Sequence, residues 1–241
     1  MPYYDAPEML MKHLEYWQLY PEWVAECLNV VLIDDGSPKC PASTVLDAVG
    51  GPPFPIELYR IEEDIPWNHG GARNLAFTQM QEGWALLTDI DHVLPLESVC
   101  SLLTKHLNDK CVYIPSRYRV LSALDWEEIE PHSDSFVLTR EMFWKVGGFD
   151  EEFSGYWNGV SHLFRKHLST VVQEYIVLEN THLFFFDNTI VKDANVESLG
   201  RKGSAYDIKD DPKLYRRLNK RLQDKDYKPK NHLHFSWKQV I

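Results

Sequence analysis

Apolar positions along this chain change their period several times, and each change marks an element. Leu10, Leu14 and Trp17 recur at helical spacing behind Asp5, Pro7 and Glu8. That pattern predicts an amphipathic helix to about Tyr20, opened by an Asp5/Glu8 capping box with proline in its first turn. Residues 29–33, NVVLI, are short, continuous and β-branched, as in a strand buried on both faces. Residues 56–61 predict a second strand and residues 84–88 a third. Between them a helix opens on Gly70 and Gly71 and places Leu75, Ala76 and Met80 on one side. A helix follows over 96–107, then strands over 111–115 and 135–139. A short helix over 140–146 is stopped by Gly147 and Gly148. Residues 162–168 are helical, and residues 171–178 and 182–186 predict two strands. Asp211 and Pro212 start a basic helix to about Leu222, and residues 232–240 predict a terminal strand.

Strand and helix alternate through the first half, which predicts an α/β fold with a parallel, doubly wound sheet. No internal repeat or low-complexity linker interrupts the chain. The expected organisation is one domain over 1–195, with a C-terminal extension over 196–241 packed on it.

Composition and charge refine this picture. The chain has 241 residues, 44% hydrophobic and 13% aromatic, enough for a sizeable core. No apolar run is long enough to span a membrane, and the start lacks a basic segment followed by an apolar one, so a cytoplasmic protein is expected. The four cysteines form no CxxC pair and predict free core thiols. The net charge of −11 disfavours a general nucleic-acid-binding face. Residues 201–230 run against it with a local net charge of +6. They read as a solvated basic helix, or as a flap over a phosphate-bearing substrate.

The candidate chemistry sits at strand ends. In an open parallel sheet, ligands bind beyond the carboxyl ends of the strands. Asp34 and Asp35 end one strand, and Asp89 and Asp91 end another, so both pairs are expected to face one crevice. Two convergent carboxylates suit Mg²⁺ or Mn²⁺. An isolated DxD is more often a turn; two such pairs in order weigh more.

VVLIDDGSP, WNHGGARNLA, LLTDIDHVLP and VGGFDEEFSGYW together resemble, in order, the nucleotide-sugar-dependent glycosyltransferases of the GT-A fold, family-2 type, over roughly residues 1–168. The resemblance implies a Rossmann-like, mixed but mostly parallel central sheet flanked by helices. It implies a nucleoside-diphosphate sugar, most simply a UDP-sugar, as donor and a glycan or similar hydroxyl as acceptor. Pro2, Tyr3, Tyr4, Asp34, Asp35, Arg73, Asn74 and Asp89 would line the donor pocket. Asp91 would be the first metal ligand and Asp89 would reach the ribose or the metal. His182, or alternatively His92, would add a ligand, and Gly148, Phe149 and Trp157 would shape the acceptor side.

Two departures stand out. The family has an apolar strand leading into the Pro2–Tyr4 segment, so a gap or a substitute element is expected beside residues 29–33. The acidic residue that serves inverting members as base is also missing, because Gly159, Val160, Ser161 or His162 stands in its place. His162, Asp150 and Glu151 are the candidate bases, and a retaining mechanism needs none. The competing readings are a degenerate member that binds without turnover and an enzyme that glycosylates a modified nucleic-acid base.

Overall fold

The computed structural model describes residues 1–157, 159–194, 206–230 and 232–241. A two-residue strand β1 (Pro2–Tyr3) leads into helix α1 (Pro7–Trp17) and a single turn α2 (Glu22–Ala25). Strand β2 (Val30–Asp34), helix α3 (Ala42–Val49), strand β3 (Ile56–Ile61) and helix α4 (His69–Gln79) follow as a β/α alternation. Asp5 does not cap α1: its Oδ1 accepts from the N–H groups of Lys39 and Cys40. The capping acceptor is Asp193, whose carboxylate takes the N–H groups of Glu8 at 2.7 Å and Met9 at 2.9 Å. Local spacing could not reveal a cap supplied from so far along the chain.

Strand β4 (Trp84–Leu87) ends at the DID segment. After it come β5 (His92–Val93), α5 (Leu96–Thr104) and the long strand β6 (Cys111–Ser122). A hairpin returns β6 as β7 (Asp125–Ile129), with Leu124 91% exposed at its turn. Strand β8 (Phe136–Thr139), helix α6 (Arg140–Lys145), a 3₁₀ turn (Glu151–Phe153), β9 (Tyr156–Trp157) and α7 (Val160–Leu168) build the next layer. The two strands expected over 171–186 are one strand, β10 (Glu174–Phe185), whose register on β6 shifts between Leu178 and His182. The last elements are β11 (Tyr206–Asp207), a second 3₁₀ turn (Ile208–Asp210), α8 (Pro212–Gln223) and β12 (Trp237–Gln239). Asp211 caps α8 as the sequence predicts, accepting from the N–H groups of Lys213 and Leu214.

The architecture is a mixed α/β fold in which the strands form two main sheets flanked by helices. One has the order β1-β2-β3-β12, parallel through β3 and closed by antiparallel β12. The other has the order β4-β8-β6-β10-β5, with β6 and β10 parallel. The facing ends of the two sheets are β1 and β4, each paired on one side only. Helix α1 packs its buried face of Met9, Leu10, Leu14 and Trp17 with Leu32, Leu58 and Val99. A second core gathers Phe77, Phe143, Phe149 and Phe164 with Leu218 of α8. The C-terminal segment therefore joins the main body twice, through α8 on α7 and β12 on β3.

The cysteines are free, but only Cys111 is buried; Cys27 is exposed and Cys40 and Cys100 are intermediate. The expectation that most were core thiols overstated their burial. No described helix is long and apolar enough to cross a membrane.

Candidate functional site

A cavity of about 460 Å³ opens beyond the carboxyl ends of β2 and β4. Its size suits a nucleotide-sized ligand. One wall carries Pro2, Tyr3, Tyr4 and Asp35; the floor carries Asp89, Ile90 and Asp91; the far side carries Ser133, Asp134, Ser161, His162 and Arg165. Two strand ends that are distant in sequence thus bring three carboxylates to one crevice.

Asp34 does not join them. It is 1% exposed, and its oxygens accept from the N–H groups of Ser37 and Ala42 and from Arg60 Nη1 at 2.7 Å. Successive side chains of an extended segment point to opposite sides, so of two adjacent aspartates only one can face the cavity. Here Asp35 does, steadied by Asn68 Nδ2 at 3.1 Å. Asp89 and Asp91 reach the cavity through the turn that follows β4, closed by the His92 N–H donating to the Asp89 carbonyl. Gly36 makes the turn after Asp35 feasible: its φ is +75°, and a Cβ there would lie 2.4 Å from the Glu63 carbonyl oxygen.

Arg73 is 1% exposed and donates from Nη2 to Asp89 Oδ1 at 2.5 Å, while its Nε and Nη1 have no hydrogen-bond partner among the described residues. Burial works to raise the Asp89 carboxyl, but Arg73 and then His132 hold it well below the usual carboxylate range. Asp91 Oδ1 takes a 2.6 Å hydrogen bond from His92 Nδ1. The His92 ring stacks on His132 at 4.4 Å, and His132 Nε2 stands 3.8 Å from Asp89 Oδ2. Two imidazoles therefore bracket the DID carboxylates. His69 also lines the cavity, its Nε2 3.1 Å from Ser161 Oγ. Burial, and then the Arg73 charge, push His69 down to about 4, so it is neutral at neutral pH. Burial, with Arg165 and Lys166, likewise lowers His162.

Several candidate residues lie elsewhere. Asn74 is fully buried and clamps the loop before α7: it donates to the Phe149 carbonyl and to Glu151 Oε1 and accepts from the Phe149 N–H at 2.8 Å. Gly148 and Phe149 belong to that clamp and do not line the cavity. Glu151 also accepts from the N–H groups of Leu233 and His234, tying the C-terminal segment down. Asp150 accepts from Arg221 at 2.5 Å and from the Tyr227 hydroxyl at 2.8 Å. Both acids sit in structural ties outside the cavity; of the three candidate bases, only His162 lines it.

His182 faces Glu97 Oε1 at 3.4 Å and the Tyr118 and Phe184 rings, away from Asp89 and Asp91. The Trp157 side chain lies outside the described residues, as do residues 201–205 of the basic stretch. None of the described residues 206–230 lines the cavity. Sequence reasoning missed His69, His132 and Asp134. His69 stood inside the WNHGGARN motif, whereas His132 and Asp134 lie in a loop with no local signature.

No family model and no curated protein sequence matches the chain. Its fold is similar to solved structures. One is S. aureus TarS 1-349, with TM-score 0.63 and 14% identity over 94% of this chain and 65% of that one. A second structure of S. aureus TarS gives 0.59 and 15% over 78% of this chain and 36% of that one. GalNAc-T7, solved with UDP, GalNAc and Mn²⁺, gives 0.58 and 13% over 88% of this chain and 45% of that one. The chain spans under two thirds of the length of each. The shared architecture is the GT-A glycosyltransferase fold.

Proposed function

We propose that the chain is a glycosyltransferase that draws on a nucleoside-diphosphate sugar, a UDP-sugar first, and transfers the sugar to a hydroxyl of a glycan or similar acceptor in the cytoplasm. The observation that carries this reading is the meeting of Asp35, Asp89 and Asp91 in one cavity beyond two strand ends of a GT-A fold. Asp35, with Tyr3 and Tyr4 beside it, is the group suited to a base N–H or ribose hydroxyl.

The DID carboxylates fit a hard divalent cation, Mn²⁺ or Mg²⁺, in their donor chemistry. The second Asp91 oxygen has no hydrogen-bond partner among the described residues, whereas Asp89 is held by Arg73. No group of three or more His, Cys, Asp or Glu able to hold a metal exists among the described residues, so phosphate oxygens and water would complete the shell. A bound ion supplies charge neutralisation for a leaving diphosphate. The chain's own residues do the rest. Arg73 fixes Asp89, and His162 or Asp134, both lining the cavity, would take the acceptor proton. Asp134 sits 3.8 Å from Arg165 Nε, which orients it.

Calorimetric titration with UDP, with and without Mn²⁺, tests the donor and metal assignments. Parent protein is expected to bind UDP only with the metal, and Asp91→Asn to lose at least about tenfold in affinity with its fold intact. Equal binding by the variant overturns the metal role, and no binding by the parent overturns the donor. A binding-only protein is the second reading, favoured by the absence of a carboxylate at the entry to α7. Release of UDP from UDP-sugars in the presence of acceptor separates the two.

A further inference from the structure

Laterally paired residues of a sheet put their side chains on the same side. His92 of β5 pairs with Phe185 of β10, Phe185 with Arg119 of β6, and Arg119 with Glu127 of β7. These four make one row on one side of the sheet. Arg117, two residues before Arg119, stands on the same side one step along. That side is also the side of the DID carboxylates, because His92 holds Asp91 at 2.6 Å and stacks on His132 beside Asp89. We propose that Arg117 and Arg119 form a subsite for a phosphate group of the substrate, near the DID carboxylates and outside the lining of the nucleotide-sized cavity.

Both guanidinium groups are positioned without being fully used. The Arg117 Cζ lies 4.1 Å and the Arg119 Cζ 6.0 Å from the centre of the Phe185 ring, so one aromatic face sets both. The Nε of each is buried and has no hydrogen-bond partner among the described residues. Arg117 is half-buried and pairs with no carboxylate among them. Arg119 Nη1 donates to Glu127 at 2.9 Å, but those side chains are 41% and 49% exposed. An ion pair that exposed contributes little and opens easily. A buried guanidinium nitrogen without an acceptor is costly, and a planar fork with an open Nε edge matches two oxygens of a phosphate.

The local charges ask for an anion. Burial lowers Arg117 from its usual range, Asp91 and Asp89 work against that, and the Arg119 charge adds to it. The two aspartates are already engaged by His92 and Arg73, which leaves Glu127 as the one described carboxylate in contact with the arginine pair. A phosphate dianion touching both guanidinium groups offsets their mutual repulsion. The inference rests on the transferase reading only for which molecule carries the phosphate; binding the phosphate itself needs neither nucleotide nor metal.

The test titrates inorganic phosphate against the metal-free chain at constant ionic strength, with the ³¹P line width as readout. The parent is expected to bind, and Arg117→Met and Arg119→Met each to weaken binding at least about tenfold. Arg216→Met removes an exposed arginine of α8 and is expected to bind phosphate as the parent does. Should Arg117→Met fail to fold, Arg117→Lys keeps the charge, loses the fork and is expected to weaken binding about threefold or more. No binding by the parent, equal weakening by Arg216→Met, or parent-like binding by a folded Arg117 variant overturns the subsite. Saturating UDP with Mn²⁺ then identifies the source. Loss of phosphate binding assigns the subsite to the donor's diphosphate, and retention assigns it to a phosphate on the acceptor; both support it. A chain that binds phosphate through Arg117 but does not bind UDP keeps the subsite and loses the transferase reading.

Discussion

The clamp between α8 and the loop before α7 gives a prediction whose size follows from its geometry. Arg221 is 16% exposed at its side chain and donates from Nη1 to Asp150, itself 7% exposed. Its Nη2 reaches Glu152, and its guanidinium lies 5.0 Å from the Phe153 ring and 4.8 Å from the Tyr227 ring. Replacing Arg221 by Met keeps the stem and removes the charge. Removing one partner of a buried pair costs roughly 3–5 kcal/mol. The Tyr227 hydroxyl still serves Asp150, and Glu152 reaches water, so the expected loss here is about 2–3 kcal/mol. For a chain of this length that corresponds to a drop in Tm of about 4–12 °C. Thermal and urea unfolding of Arg221→Met, Asp150→Asn and the double variant supply a coupling energy. A coupling of about 1–3 kcal/mol is expected, with the double variant more stable than the sum of the singles implies. A coupling below about 0.5 kcal/mol would refute the clamp and return Asp150 to the list of candidate bases.

Gly148→Ala should destabilise the fold by about 1–3 kcal/mol, because the φ of +68° is unfavourable to alanine and its Cβ would lie 2.7 Å from Asn74 Oδ1; urea midpoints measure it, and an unchanged midpoint contradicts the clamp geometry. His13 is 2% exposed, with its Nε2 2.7 Å from the Ile90 carbonyl, and burial pushes it down from 6.5 to about 4. The unfolded chain therefore binds the extra proton first, so stability is full above pH 6.5 and falls by about 3 kcal/mol as the pH drops to 4. His13→Gln, which keeps a donor for Ile90, should flatten that slope in unfolding curves measured from pH 4 to 7; an unchanged slope would assign it to other groups.

What the sequence made legible follows from what is local. The β/α alternation through α4, the Asp211 cap and the DID carboxylates at a strand end all depend on neighbours within a few residues, and period and spacing expose them. The α1 cap depends on Asp193, far along the chain, and no spacing rule reaches it. Residues 117–129 carry Arg, Ser, Asp and Glu among their apolar positions, so the β6–β7 hairpin hides behind a polar pattern. The Asp34/Asp35 pair was read as one unit, although the strand period already separates its members. Asp150 and Glu151 looked available because a sequence displays acids but not the Arg221, Tyr227 and Asn74 that occupy them.

Arg73 and His92 each hold one DID carboxylate from behind. Arg73 commits one guanidinium nitrogen to Asp89, while its Nε and Nη1 have no hydrogen-bond partner among the described residues. His92 repeats the arrangement, with Nδ1 on Asp91 and Nε2 without a partner among them. Both side chains are buried, so the two aspartates at the cavity are fixed by groups that water does not reach, as outer-shell hydrogen bonds fix the groups that touch a ligand. Loss of either holder should therefore loosen its own aspartate first and the other only through the His92–His132 stack.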